Sequence, residues 1–146
     1  EIERFTLPES FATALYAVID TAHWDMTYSN AGHPSPLRCR SGVPDLDPLV
    51  GRSFPLGMFS DGEYGQSRIQ LEPGETVLLY TDGLTEMFVE CEPPRSQGEL
   101  EGIVCQELRE EQGVDLERLY RRVLDASCCI TSPDDVLLLS IHRRPH

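Results

Sequence analysis

Leu71-Glu72-Pro73-Gly74-Glu75-Thr76-Val77-Leu78-Leu79-Tyr80-Thr81-Asp82-Gly83 is the stretch on which the fold turns. Pro-Gly between two strand-like runs marks a turn, because proline presets φ at one central position and glycine accepts positive φ at the next. The apolar run from Thr76 to Tyr80 reads as a buried strand. It stops at Thr81-Asp82-Gly83, which places Asp82 at the strand's C-terminal tip. A second apolar run, Val136 to Ile141, follows Ser132-Pro133-Asp134-Asp135 and reads as the last strand. If the two strands are antiparallel neighbours, the end of one lies beside the start of the other. The carboxylates of Asp82 and Asp134 then converge.

Working back toward the N-terminus, residues 66–71 read as a strand leading into the turn. Residues 42–65, rich in Gly, Pro and Asp, read as a long connection with at most one short strand. Leu37 to Arg40 forms another short strand. Residues 11–20, FATALYAVID, suit a buried strand. In the segment after it, Trp24, Met26 and Tyr28 alternate with polar residues, so the pair reads as an antiparallel hairpin that ends in the loop Asn30-Ala31-Gly32-His33-Pro34.

Beyond Gly83 the period changes. Ser96 and Glu99 are spaced as a capping box, Leu100, Ile103, Val104 and Leu108 share one helical face, and Gly113 is a stop. Asp115 can cap a second helix that carries Leu116, Leu119, Tyr120, Val123 and Leu124 on one face. The expected class is α+β: mainly antiparallel strands, with two helices inserted before the last strand. A length of 146 residues fits one domain, spanning 1–146.

Composition narrows the function. Twenty-five acidic residues against twelve basic ones give a formal charge of −13, and the bases are not clustered, so nucleic acid is an unexpected partner. All twelve bases are arginine, which removes lysine Schiff-base chemistry and the phosphate-loop lysine. No run of eighteen apolar residues exists, so no membrane span is expected. The five cysteines (Cys39, Cys91, Cys105, Cys128 and Cys129) form no C-x-x-C pair, which argues against structural zinc. The vicinal Cys128-Cys129 pair reads as packing ahead of a strand. Free cysteines with no export signal point to the cytoplasm.

The carboxylates remain. Fixed at the ends of strands, Asp82 and Asp134 suit a hard divalent ion such as Mg²⁺ or Mn²⁺. The same residues serve equally in plain turns, since Asp-Gly and Pro-Asp-Asp are ordinary turn sequences. Glu86 could act as a base or cap a helical turn. His33 is the one histidine in a loop that looks built for a purpose, as a hydrogen bonder or as a catalyst. No G-x-S-x-G, H-E-x-x-H or G-x-G-x-x-G occurs.

Taken in order, FATALYAVID, TYSNAGHPSPL, FPLGM, LEPGETVLLYTDGLTE and PDDVLLLSI resemble the PPM-type metal-dependent serine/threonine phosphatases, in the bacterial SpoIIE/RsbU-like branch. The resemblance runs from about Phe11 to Ile141. It implies a sandwich of two antiparallel sheets flanked by helices. It also implies two Mn²⁺ or Mg²⁺ ions, whose bound water attacks the phosphorus of a phosphoserine without a protein nucleophile. Asp82 and Asp134 then correspond to ligands of one ion. Asp135 and Gly83 support the site, and Asn30, Gly32 and His33 belong to a neighbouring or structural loop. The implied substrate is a phosphorylated regulatory protein of the anti-sigma-factor-antagonist type, in partner switching.

Two further metal motifs of the family, G-D-x-x-D and D-x-x-G-H/K-G, do not occur; Asp20 and Asp25 stand in the wrong context. The chain is therefore expected to be the C-terminal portion of such a domain, missing its first strands and helices; the start at Glu1 without methionine agrees. Alone it is expected to hold at most one ion weakly and to be inactive. Exposed strand edges lead to an expectation of dimerisation or aggregation. The rival reading is a non-catalytic, degenerate phosphatase fold that binds a regulatory partner.

Overall fold

Pro73 and Gly74 form the turn that the sequence marks. The amide of Glu75 donates to the Glu72 carbonyl at 3.1 Å, and Gly74 takes φ +83°, a conformation that glycine adopts without steric cost. The strand after it is Thr76–Tyr80, as expected. The structure is a computed structural model that describes residues 11–40, 46–59, 61–89, 96–108, 114–127 and 134–145.

The elements are β1 (Ala14–Asp20), β2 (Asp25–Ala31), β3 (Leu37–Cys39), β4 (Leu46–Pro48), β5 (Arg52–Ser53), β6 (Ser67–Gln70), β7 (Thr76–Tyr80), α1 (Gly83–Val89), α2 (Gln97–Leu108), α3 (Leu116–Ser127) and β8 (Leu138–His142). They divide into two compact units: Glu1–Ser35 with Leu49–Leu71, and Pro36–Pro48 with Glu72–His146.

The first unit holds a four-stranded sheet centred on β2. The β1–β2 hairpin is antiparallel from Ala14↔Ala31 to Asp20↔Asp25, as the alternation of residues 24–28 anticipated. On the other side, β2 pairs antiparallel with β6 and, for two residues, parallel with β5. Met26 and Tyr28 are buried and point to the same face. The expectation that residues 11–20 form a buried strand needs correction. Tyr16 is 71 % and Val18 53 % exposed, because β1 pairs only with β2 among the described residues and turns alternate side chains to solvent.

The hairpin turn is held by Asp20. Its carboxylate accepts from the Ala22 amide at 2.9 Å and meets His23 Nδ1 at 2.7 Å. This hydrogen bond lowers the Asp20 pKa from its ordinary 3.8 and raises that of His23 from 6.5.

The second unit holds the sheet β4-β3-β7-β8, antiparallel throughout. Leu37, Cys39, Leu78 and Tyr80 pack with Leu84, Met87 and Phe88 of α1, with Leu100, Val104 and Leu108 of α2, and with Leu119 and Val123 of α3. The expected apolar faces of α2 and α3 are the ones buried. Asp115 caps α3, its Oδ1 accepting from the Arg118 amide at 3.0 Å. At the start of α2 the Glu99 amide donates to the Ser96 carbonyl at 3.1 Å. Gly113 and the cysteines at 91, 128 and 129 lie outside the described residues; Cys39 and Cys105 are buried and free.

Three expectations are corrected here. Three helices, not two, precede the last strand: α1 is only seven residues long and starts at a glycine, so its period is too short to read. The connection from 42 to 65 contains two short strands, β4 and β5, each stabilised by pairing with a distant neighbour. The last strand begins at Leu138 rather than Val136, because the backbone of Leu137 is engaged by Thr81 instead of a strand partner.

Two buried carboxylates tie this unit together. Glu75 accepts from Arg38 Nε at 3.1 Å and from the Glu72 amide at 2.8 Å, joining β3, β7 and the Pro-Gly turn. Glu107 of α2, 2 % exposed, accepts from Arg118 Nε at 2.7 Å and from Arg122, both on α3. Burial opposes its ionisation, but the two guanidinium groups outweigh burial and hold the pKa below the ordinary 4.5.

Glu107→Ala should destabilise the fold by about 2 kcal/mol. That is below the ~3–5 kcal/mol of fully buried pairs, because both guanidinium groups still touch water; urea unfolding measures it. In an NMR titration His23 should titrate above the ordinary imidazole value and return toward it in Asp20→Asn. A raised histidine pKa stabilises below the unfolded value and is lost as pH rises through the folded one. A lowered aspartate pKa stabilises above its unfolded value and is lost on acidification. The turn therefore contributes most between about pH 4 and 6.5.

Candidate metal centre

The ladder between β7 and β8 runs from Thr76↔His142 to Tyr80↔Leu138, so the C-terminal tip of β7 lies beside the N-terminal approach to β8. This is the juxtaposition inferred from the two apolar runs. Beyond Tyr80 the pairing continues through Thr81. Its amide donates to the Leu137 carbonyl at 3.1 Å. Its hydroxyl donates to the Asp135 carbonyl at 2.9 Å and accepts from the Leu137 amide at 2.9 Å. One side chain thus satisfies both groups of the segment that follows Asp134, where a strand partner would otherwise be needed.

Gly83 closes the same junction from the other side. A Cβ at this position would lie 2.7 Å from the Asp135 carbonyl oxygen and 3.1 Å from that of Asp134. The glycine is required by this close approach rather than by its φ.

Asp82 sits between Thr81 and Gly83 and begins α1. Its carbonyl accepts from the Thr85 and Glu86 amides at 2.8 and 2.9 Å and from the Thr85 hydroxyl at 2.7 Å. Its side chain is exposed, as are those of Asp134 and Asp135. Asp134 Oδ1 accepts from the Asp135 amide at 2.7 Å, which orients that carboxylate. Glu86 lies in the first turn of α1, where the helix dipole favours an acid.

Oxygen donors at a rigid sheet end match the chemistry of a hard divalent ion. Among the described residues, however, no group of three or more His, Cys, Asp or Glu side chains could hold an ion by itself. The two aspartates fit as part of a coordination sphere, not the whole of one.

The loop residues belong to the first unit. Asn30 is fully buried; its amide donates to the His33 carbonyl at 3.0 Å, and its Oδ1 accepts from the His33 amide at 2.9 Å. Both ends of one side chain therefore close the Asn30–His33 loop. Gly32 has φ +72°, and a Cβ there would meet Pro55 Cγ at 2.6 Å, which couples this loop to the FPLGM segment. His33 Nδ1 lies 3.1 Å from the Pro34 carbonyl.

Sequence reasoning singled out Asp82, Gly83, Asp134 and Asp135 but passed over Thr81. A hydroxyl residue between a buried strand and an Asp-Gly turn was the available signal.

The profile of the family described as Stage II sporulation protein E (SpoIIE) matches residues 1–144. The chain belongs to the SpoIIE family. Phosphoserine phosphatase RsbP of Bacillus subtilis (strain 168) is 39 % identical over 82 residues, covering 56 % of this chain and 20 % of RsbP. The crystal structure of the RsbU and RsbW domains of Rv1364c from Mycobacterium tuberculosis is 27 % identical with a TM-score of 0.69, covering 98 % of this chain and 40 % of that one. The manganese-presoaked phosphatase domain of the cell fate determinant SpoIIE from Bacillus subtilis has a TM-score of 0.68 at 14 % identity, covering 99 % of this chain and 62 % of that one. The α+β, two-sheet PPM-type phosphatase fold is thereby established for this SpoIIE-family chain. It spans about a fifth of RsbP and two fifths to three fifths of the two solved structures. Among the described residues, no helix is long and apolar enough to cross a membrane.

Thr81→Val keeps the shape but removes two hydrogen bonds and should cost about 1–2 kcal/mol in urea unfolding. Gly83→Ala should destabilise by about 1–3 kcal/mol and shift the amide resonances of Asp134 and Asp135, since the added methyl meets backbone that must move.

Proposed function

We propose that residues 1–146 are the C-terminal portion of a SpoIIE/RsbU-like protein phosphatase domain that hydrolyses phosphoserine on a regulatory protein. The observation that carries this reading is the junction of β7 with the approach to β8. There the Thr81 hydroxyl and Gly83 hold Asp82 beside Asp134 and Asp135. In this reading Asp82 and Asp134 ligate one divalent ion, Mn²⁺ or Mg²⁺. Asp135 and Gly83 keep the two strand ends in register. Asn30, Gly32 and His33 shape a loop in the first unit. Bound divalent ions supply a water of lowered pKa and offset negative charge on the phosphoryl group. The chain's own residues supply the rigid carboxylates that position such ions.

The kinship with phosphoserine phosphatase RsbP supports phosphoserine as the substrate group, and the RsbU and RsbW pairing in the Rv1364c structure supports a partner-switching protein as its carrier. An anti-sigma-factor antagonist is the corresponding substrate type, and the cytoplasm the corresponding compartment. A manganese-soaked SpoIIE domain of like fold supports Mn²⁺ as one usable ion. One observation favours the rival reading, a partner-binding module without catalysis: the described residues do not by themselves make a complete ligand group.

The deciding experiment is phosphate release from a phosphoserine protein by the full-length protein with Mn²⁺. Chelation with EDTA should abolish it. Asp82→Asn should lower it by at least about 100-fold, the upper end of what loss of even an outer partner costs a metal site. Equal rates in the parent and in Asp82→Asn contradict the assignment. Absence of Mn²⁺-dependent hydrolysis favours the binding module.

A further inference from the structure

Next to Asp134 the second unit carries an open cleft of about 480 Å³. Leu116, Glu117 and Tyr120 of α3 form one wall, and Asp134, Asp135 and Val136 form the other. Its two walls differ in chemistry from its rim. Leu116, Tyr120 and Val136 are half-buried and rest against the hydrophobic core, so the floor is apolar and fixed. Glu117, Asp134 and Asp135 are exposed and stand at the opening. No cationic side chain lines the cleft among the described residues. The nearest counter-charge is Arg121, which pairs with Glu117 one helical turn along α3.

A phosphoserine segment approaching Asp134 brings further negative charge to a rim that already carries three carboxylates. Its neighbours must supply the positive charge that this rim lacks. We propose that the cleft is a substrate-docking subsite for an arginine or lysine side chain flanking the phosphoserine. The methylene stem lies on Leu116 and Val136, the cationic head meets Glu117 and Asp135, and the Tyr120 ring offers a cation–π face. Glu117 and Tyr120 are then specificity determinants rather than catalytic residues. This assignment rests on the phosphatase reading for its biological meaning, but the docking can be measured without catalysis.

Fluorescence anisotropy of the 146-residue chain with short labelled peptides tests it. The peptides carry either arginine or glutamate beside serine or phosphoserine. The arginine peptides should bind about tenfold more tightly than the glutamate peptides, the combined effect of an exposed ion pair and a cation–π contact. The preference should persist without the phosphate and without metal. Glu117→Gln and Tyr120→Leu should each reduce it several-fold, with unchanged circular dichroism melts showing that both variants fold. Equal affinity for the two peptide types overturns the subsite, as does a preference that both variants retain. Loss of the preference on adding Mg²⁺ alone would put a metal ion in the cleft and overturns it as well. Failure of Mn²⁺-dependent hydrolysis by the full-length protein, with the arginine preference intact, would instead count against the phosphatase reading alone.

Discussion

The hydroxyl of Thr81 is the contact on which the candidate site depends. Strand pairing alone ends at Tyr80↔Leu138, short of every functional carboxylate. Thr81 extends the junction by bonding the backbone of Asp135 and Leu137, and Gly83 allows the Asp134–Asp135 backbone to approach to a distance that no Cβ would permit. Asp82 is caught between the two, with its carbonyl starting α1 and its carboxylate facing solvent. Its position is therefore set by backbone geometry on both sides rather than by side-chain packing. A metal ligand placed this way keeps little freedom to lose on binding.

Carboxylates in the second unit follow two regimes. Those inside are paired: Glu75 with Arg38, and Glu107 with Arg118 and Arg122. Such pairing is the condition under which a buried charge is tolerated, and the planar, multi-donor guanidinium group suits it better than an ammonium. A chain whose bases are all arginine is well supplied for this purpose. Those at the β7–β8 end, Asp82, Asp134 and Asp135, are exposed instead. A surplus of acid at one rigid sheet end makes an attraction for cations, whether a metal ion or a basic side chain of a partner.

Much of this was legible in the residues because local chemistry and tertiary need agreed. Pro73-Gly74 has only one good use between two strands, and the alternation at Met26 and Tyr28 survives as burial on one face of β2. The i, i+4 apolar faces of α2 and α3 are the faces that pack. What escaped was decided by partners distant in sequence. The two-residue strand β5 exists because Asn30 and Ala31 offer it a ladder, and β4 because β3 does. The exposure of Tyr16 and Val18 reflects the position of β1 at one side of its sheet, which no pattern within FATALYAVID reveals. Helix α1 is too short for a period, and the role of Thr81 appears only when Leu137 is beside it. Asp82 and Asp134 were found because each terminates an apolar run. The resemblance to a known family gave those positions a chemical meaning that spacing alone left open.

The central claim is that Asp82 and Asp134 share one divalent ion at the joined ends of β7 and β8. Paramagnetic broadening by substoichiometric Mn²⁺ in an amide NMR spectrum of the chain measures this directly. The account predicts that the amides of Thr81–Leu84 and Asp134–Val136 broaden first and together, and that Asp82→Asn combined with Asp134→Asn removes the effect. Broadening centred on other acidic residues, or spread evenly over the surface, would contradict it.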